Sequence, residues 1–183
     1  MVDYSKWNNL PSSDEEEEEA EHSRVEASFA GGMLNGAALR AGAVLFLHGS
    51  GDTGQGLRGW LGVVSGREFE QELSAMGLKA VFPTAPLGPY SLAGGQQSHV
   101  WFDRLELSPE APQDREGLGR SMRQVAGELR KLEAEGIPLR NIFLGGFSMG
   151  GCTALEHLAD AEGAGGLAGL FSLSSFLCSG SAV

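Results

Sequence analysis

Ala43-Val44-Leu45-Phe46-Leu47 is a run of five apolar residues with no polar alternation, stopped at once by His48-Gly49-Ser50-Gly51-Asp52. A strand with one wet face alternates, whereas a strand covered on both faces does not. The run therefore suits a buried strand of a parallel sheet. Lys79–Phe82, stopped by Pro83, Asn141–Leu144 and Leu170–Leu173 read as further short strands. Between them the apolar spacing changes to that of helices. Leu57, Trp60, Leu61 and Val64 share one face, and Phe69, Leu73 and Met76 share another, with Gly77 placed to end that helix. Leu118, Met122, Val125, Leu129 and Leu132 recur at steps of four and three up to Gly136, and Met149–Ala159 is a last helical stretch. Residues 83–115 hold five of the seven prolines and read as mostly loop. The alternation predicts an α/β fold: a mostly parallel sheet with helices on both faces and right-handed crossovers.

Charge separates a tail from this body. The net charge of the 183 residues is −11, and the seven carboxylates within residues 14–21 leave only −4 for the rest. Residues 1–23 lack periodicity and hold too little apolar surface to offset ordering, so we expect an acidic disordered tail followed by one domain over residues 24–183. Ser12 and Ser13 each precede an acid by three residues, the pattern that acidophilic kinases accept. An acidic chain without a basic face is not expected to bind nucleic acid. Two cysteines, Cys152 and Cys178, exclude a disulfide scaffold but not a single bridge, and the expectation is two buried thiols. No secretory leader and no apolar window long enough to span a bilayer are visible, so the expectation is a cytoplasmic protein without integral membrane association.

Gly146-Phe147-Ser148-Met149-Gly150 fits G-x-S-x-G, and it lies between a buried strand and a helix. That setting is what a nucleophile elbow needs. A sharp turn lifts a serine hydroxyl to the carboxyl edge of the sheet, and its crowded backbone leaves room only for glycine on either side. Ser148 is the expected nucleophile. Acyl transfer also needs two N–H donors for the developing oxyanion. One should be Met149, directly after the nucleophile. The other should come from the glycine-rich loop after an earlier strand, where Ser50 is the candidate.

Four motifs in order carry a wider resemblance: Phe46–Gly56, Pro83-Thr84-Ala85-Pro86, Val100-Trp101-Phe102-Asp103 and Gly145–Cys152. Over about residues 43–183 the chain resembles the acyl-protein thioesterase/lysophospholipase family of α/β-hydrolases. Its Ser50, Arg58, Arg104, Met149 and Cys152 are most similar to the lysophospholipase-like branch. The resemblance implies a serine carboxylesterase or acyl-protein thioesterase. Its substrates would be S-acylated proteins or small esters, and it would use no metal and no cofactor. It also implies that Trp101 lies near the acyl-binding pocket, although a plain core aromatic is an equal reading.

The family completes its triad with an Asp and then a His beyond the strand after the nucleophile helix. Neither position exists here, because only 35 residues follow Ser148. The four histidines offer no replacement. His157 is nine residues along the nucleophile helix, ~13 Å from Ser148 at 1.5 Å per residue, and reads as solvated or helix-end. His48 sits in the oxyanion loop itself, His99 has no paired acid, and His22 is in the tail. We therefore expect an incomplete domain without its C-terminal strands, a partly uncovered apolar edge over Leu167–Leu177, and very weak or no activity in this chain. The alternative is a catalytically impaired hydrolase-like protein acting as a binding or regulatory module.

Overall fold

The computed structural model describes residues 42–65, 69–108, 110–159, 166–178 and 181. The expected acidic tail, with Ser12 and Ser13, lies outside the described residues. Four parallel strands form the main sheet in the order β2-β1-β5-β6. They are β1 (Gly42–Leu47), β2 (Leu78–Val81), β5 (Ile142–Phe147) and β6 (Gly169–Leu173). Two helices, α1 (Gly54–Val64) and α2 (Phe69–Ala75), link β1 to β2. The long α3 (Arg115–Ala134) precedes β5, and α4 (Met149–Ala159) joins β5 to β6.

Strand β1 shows why its sequence has no alternation. All six of its residues are buried. Ala43, Leu45 and Leu47 pack on one side with Leu118, Val125, Leu129 and Leu132 of α3 and Cys152 and Ala154 of α4. Val44 and Phe46 pack on the other side with Leu57 and Leu61 of α1 and Leu73 of α2. Successive side chains point to opposite faces, so a strand sandwiched between two helical layers must be apolar at every position. Each fully buried leucine contributes about 1.5–3 kcal/mol relative to its exposed state.

The helix ends follow local chemistry. Thr53, not Asp52, caps α1, its hydroxyl accepting the Gly56 N–H at 2.9 Å. Asp52 braces the cap by accepting the Thr53 N–H at 2.7 Å. Asp114 caps α3 through the Gly117 N–H at 2.8 Å. Helix α2 stops at Gly77, whose φ of +73° glycine adopts without steric cost.

Residues 83–115 are mostly loop among the described residues, as expected, but they also hold a hairpin that the sequence did not mark: β3 (Leu87–Tyr90) and β4 (Gln96–His99) run antiparallel, with Leu87 opposite His99 and Tyr90 opposite Gln96. Pro89 inside β3 and the polar Gln96-Gln97-Ser98-His99 carry neither of the apolar patterns that mark strands. At the far side of the main sheet, β6 pairs with β5 and, among the described residues, with nothing else. Leu173 and Leu177 are 44% and 46% exposed, so the apolar edge expected there is present. Among the described residues no helix is long and apolar enough to cross a membrane.

Candidate active site

Strand β5 ends at Phe147 and α4 begins at Met149, leaving Ser148 alone on the turn. Its φ is 51°, in the left-handed region that a non-glycine residue occupies at a cost of order 1–3 kcal/mol. The surroundings hold it there. The Ser148 N–H donates to the Leu173 carbonyl at 2.9 Å. Its own carbonyl accepts from the Cys152 N–H at 3.1 Å and from the Ser175 hydroxyl at 2.7 Å. The flanking glycines are required by space. A Cβ on Gly146 would lie 2.3 Å from the Gly150 carbonyl carbon, and one on Gly150 would lie 2.3 Å from the Leu47 oxygen.

The loop after β1 reaches the same place. A Cβ on Gly49 would lie 3.5 Å from that of Ser148, so the His48–Asp52 loop runs alongside the turn. Among the described residues, neither the Ser50 nor the Met149 N–H has a hydrogen-bond partner. The helix N-terminus at Met149 adds partial positive charge beside the serine. The three residues singled out from the sequence thus lie on two adjoining turns, Ser148 and Met149 on one and Ser50 on the other.

The geometry also reveals a tether that the sequence reading missed. His48 is fully buried. Its Nδ1 lies 2.6 Å from the Gly49 carbonyl and its Nε2 accepts the Ala85 N–H at 2.9 Å, which fixes a neutral ring protonated on Nδ1. The Trp101 indole N–H donates to the His48 carbonyl at 2.8 Å, and the Gly51 N–H donates to the His99 carbonyl at 2.9 Å. Ser121 of α3 in turn donates to the Trp101 carbonyl. The segment from Ala85 to Trp101 therefore ties down the loop beside Ser148. Only the motif order in the sequence hinted that these segments meet.

Trp101 is 1% exposed and combines two roles. It anchors the His48 carbonyl, and it lines a groove of about 470 Å³ together with Pro86, Leu87 and Phe102. Ser148 is not among the groove's lining residues. Trp101→Phe keeps most of the apolar volume but leaves the buried His48 carbonyl without its donor. We expect a loss of about 1–3 kcal/mol, measured by denaturant unfolding. An unchanged stability would show that water replaces the indole.

No described histidine is placed as a base for Ser148. Both ring nitrogens of His48 are engaged, and the His99 Nδ1 lies 2.8 Å from the Ala85 carbonyl. His157 is in the last turn of α4 and is 5% exposed, so it is a buried helix-end residue rather than a solvated one. Burial holds the His48 pKa below its ordinary 6.5. The folded protein keeps this ring neutral while the unfolded chain protonates near pH 6.5. Stability is therefore complete above about pH 6.5 and declines as pH falls from there towards the lower folded pKa. In His48→Gln, which can still accept the Ala85 N–H, the plot of melting midpoint against pH should lose this step. A step that persists would place the acid sensitivity elsewhere.

Comparison with known proteins agrees with this arrangement. Residues 34–183 match the model of the phospholipase/carboxylesterase family. Lysophospholipase-like protein 1 of Mus musculus is 40% identical over 141 residues, covering 77% of this chain and 56% of the relative. Acyl-protein thioesterase 1 of Yarrowia lipolytica is 34% identical over 119 residues, covering 64% of this chain and 50% of the relative. The crystal structure of Zea mays acyl-protein thioesterase 2 superposes with a TM-score of 0.59 at 32% identity, covering 79% of this chain and 61% of that one. The chain spans about half the length of the curated relatives it matches. By its matched residues, its sheet order and the turn that carries Ser148, the chain belongs to the phospholipase/carboxylesterase family of α/β-hydrolases.

Proposed function

We propose that this chain carries the nucleophile half of a serine hydrolase that cleaves acyl thioesters or oxygen esters, with S-acylated proteins or small esters as substrates. The observation that carries the reading is Ser148 at φ 51° between β5 and α4, with the loop of Gly49 beside it. In this reading Ser148 Oγ attacks the acyl carbonyl. The Met149 and Ser50 N–H groups, rigidly held, stabilise the oxyanion as it forms. The leaving thiol or alcohol departs, and water releases the acyl-enzyme. Trp101 borders the groove in which we place the acyl chain. This fold orders its triad Ser…Asp…His, so in this reading the acid and base would come after β6. The chemistry requires no metal or cofactor.

A second reading, a hydrolase-like binding or regulatory module, is favoured by one observation: among the described residues Ser148 Oγ has no histidine hydrogen-bonded to it. One experiment separates the two. The native protein is captured from its own cells through the acidic 14–21 segment, weighed intact, and treated with an organophosphonate probe. A species heavier than 19.2 kDa that acquires the probe on Ser148 supports the hydrolase. A species of 19.2 kDa that stays unlabelled overturns it in favour of the binding module.

A further inference from the structure

Behind the Ser148 turn, two sulfurs are in contact. Cys152 Sγ and Cys178 Sγ lie 3.2 Å apart, both as free thiols. Cys152 is fully buried on α4, one turn beyond Ser148, and Cys178 is half-buried on the segment that follows β6. We propose that this pair is a reversible disulfide site, closed by a small disulfide such as oxidised glutathione and opened by thiols.

The two thiols are unequal. The hydrogen bond between them holds the Cys178 thiol below the ordinary range and pushes that of Cys152 up, and burial adds to the rise at Cys152. Cys178, the more exposed and more acidic, reacts first. Its thiolate attacks one sulfur of oxidised glutathione, forming a mixed disulfide and releasing one glutathione thiolate. Cys152 then attacks the Cys178 sulfur and expels the second glutathione thiolate, and the Cys152 proton ends on a released glutathione. Two protein thiols are oxidised and one glutathione disulfide is reduced to two glutathiones. The second attack is fast because the sulfurs already touch. Arg104, whose guanidinium sits 4.0 Å from the Phe176 ring centroid, brings positive charge that favours both thiolates, while Glu156 opposes it.

The bond joins the two elements that hold the nucleophile's backbone. The Ser148 carbonyl accepts from the Cys152 N–H and from Ser175, three residues before Cys178. Closing the bond would fix the helix and the segment that cradle this carbonyl. The bond-forming step itself does not depend on Ser148 being a nucleophile.

The test uses the whole chain, equilibrated in glutathione buffers of rising oxidation, quenched with acid, alkylated with N-ethylmaleimide in denaturant so that the buried Cys152 is reached, and weighed intact. We expect two maleimide adducts in reducing buffer and none in oxidising buffer, with a mass lower by ~2 Da and a peptide linking Cys152 to Cys178. The oxidised form should melt about 6–12 °C higher, a shift absent in Cys178→Ser. Two maleimide adducts under all conditions, stable glutathione adducts, or disulfide-linked dimers would each overturn the proposal. If Cys178→Ser fails to fold, the linked peptide from the unaltered chain still decides the matter. Organophosphonate labelling of Ser148 in the same samples is a separate readout, so failure of the hydrolase reading would not be mistaken for failure of this one.

Discussion

Assayed on a short-chain 4-nitrophenyl ester, the 183-residue chain should turn over ~10⁴–10⁶-fold more slowly than a serine hydrolase with a complete triad. A hydroxyl is a weak nucleophile until a base takes its proton. His48 is committed through both ring nitrogens to Gly49 and Ala85, so it cannot accept that proton without breaking the loop beside Ser148. His99 is bound to Ala85, and His157 lies near the far end of α4. What remains in the proposed site is the Ser50 and Met149 N–H pair, without partners among the described residues, and an oxyanion hole with binding alone retains ~10³–10⁴ over water. Ser148→Ala should then change the residual rate little beyond losing any slow acyl-enzyme. Brisk turnover that vanishes in Ser148→Ala would mean that a histidine of this chain does act as base.

The second large effect concerns Gly150. Replacing it with alanine should destabilise the fold by about 3 kcal/mol or more, read as a shift in the denaturant midpoint. The added carbon would enter the space of two backbone oxygens, Leu47 at 2.3 Å and His48 at 2.5 Å. Neither is the end of a flexible side chain that can swing away. Helix α4 would have to lift from β1, and Met149 and Ser148 would move with it. An alanine variant with unchanged midpoint would show that the N-terminal turn of α4 packs less closely than described. Gly59 makes a useful control, since a Cβ there meets nothing within 4 Å. Alanine at that position of α1 should be neutral or slightly stabilising.

The sheet and the elbow were legible because a single physical pattern encodes each. The unbroken apolar run of β1 reports burial on two faces, and the recurrence of Leu118, Val125 and Leu129 reports a helix lying on a core. The serine turn is legible because its crowding excludes side chains and leaves glycines at fixed spacing. The β3–β4 hairpin was not, since its strands make their own two-stranded sheet from polar residues and a proline. Nor could spacing place the Trp101 nitrogen on the His48 carbonyl, 53 positions earlier. The contact between Cys152 and Cys178 is likewise a product of the chain's return after β6, to which local propensity is blind.

The backbone bonds of Ser148 have a consequence for the order in which the protein is made. Its amide is satisfied by Leu173 and its carbonyl in part by Ser175, which follows it by 27 positions. A chain emerging from the ribosome at about 5–20 residues per second presents the left-handed turn more than a second before those partners exist. During that interval Ser148 has no reason to hold its cramped backbone. The site is assembled retroactively, when a later strand docks against an earlier one. Its geometry therefore reports that the strand after it has arrived.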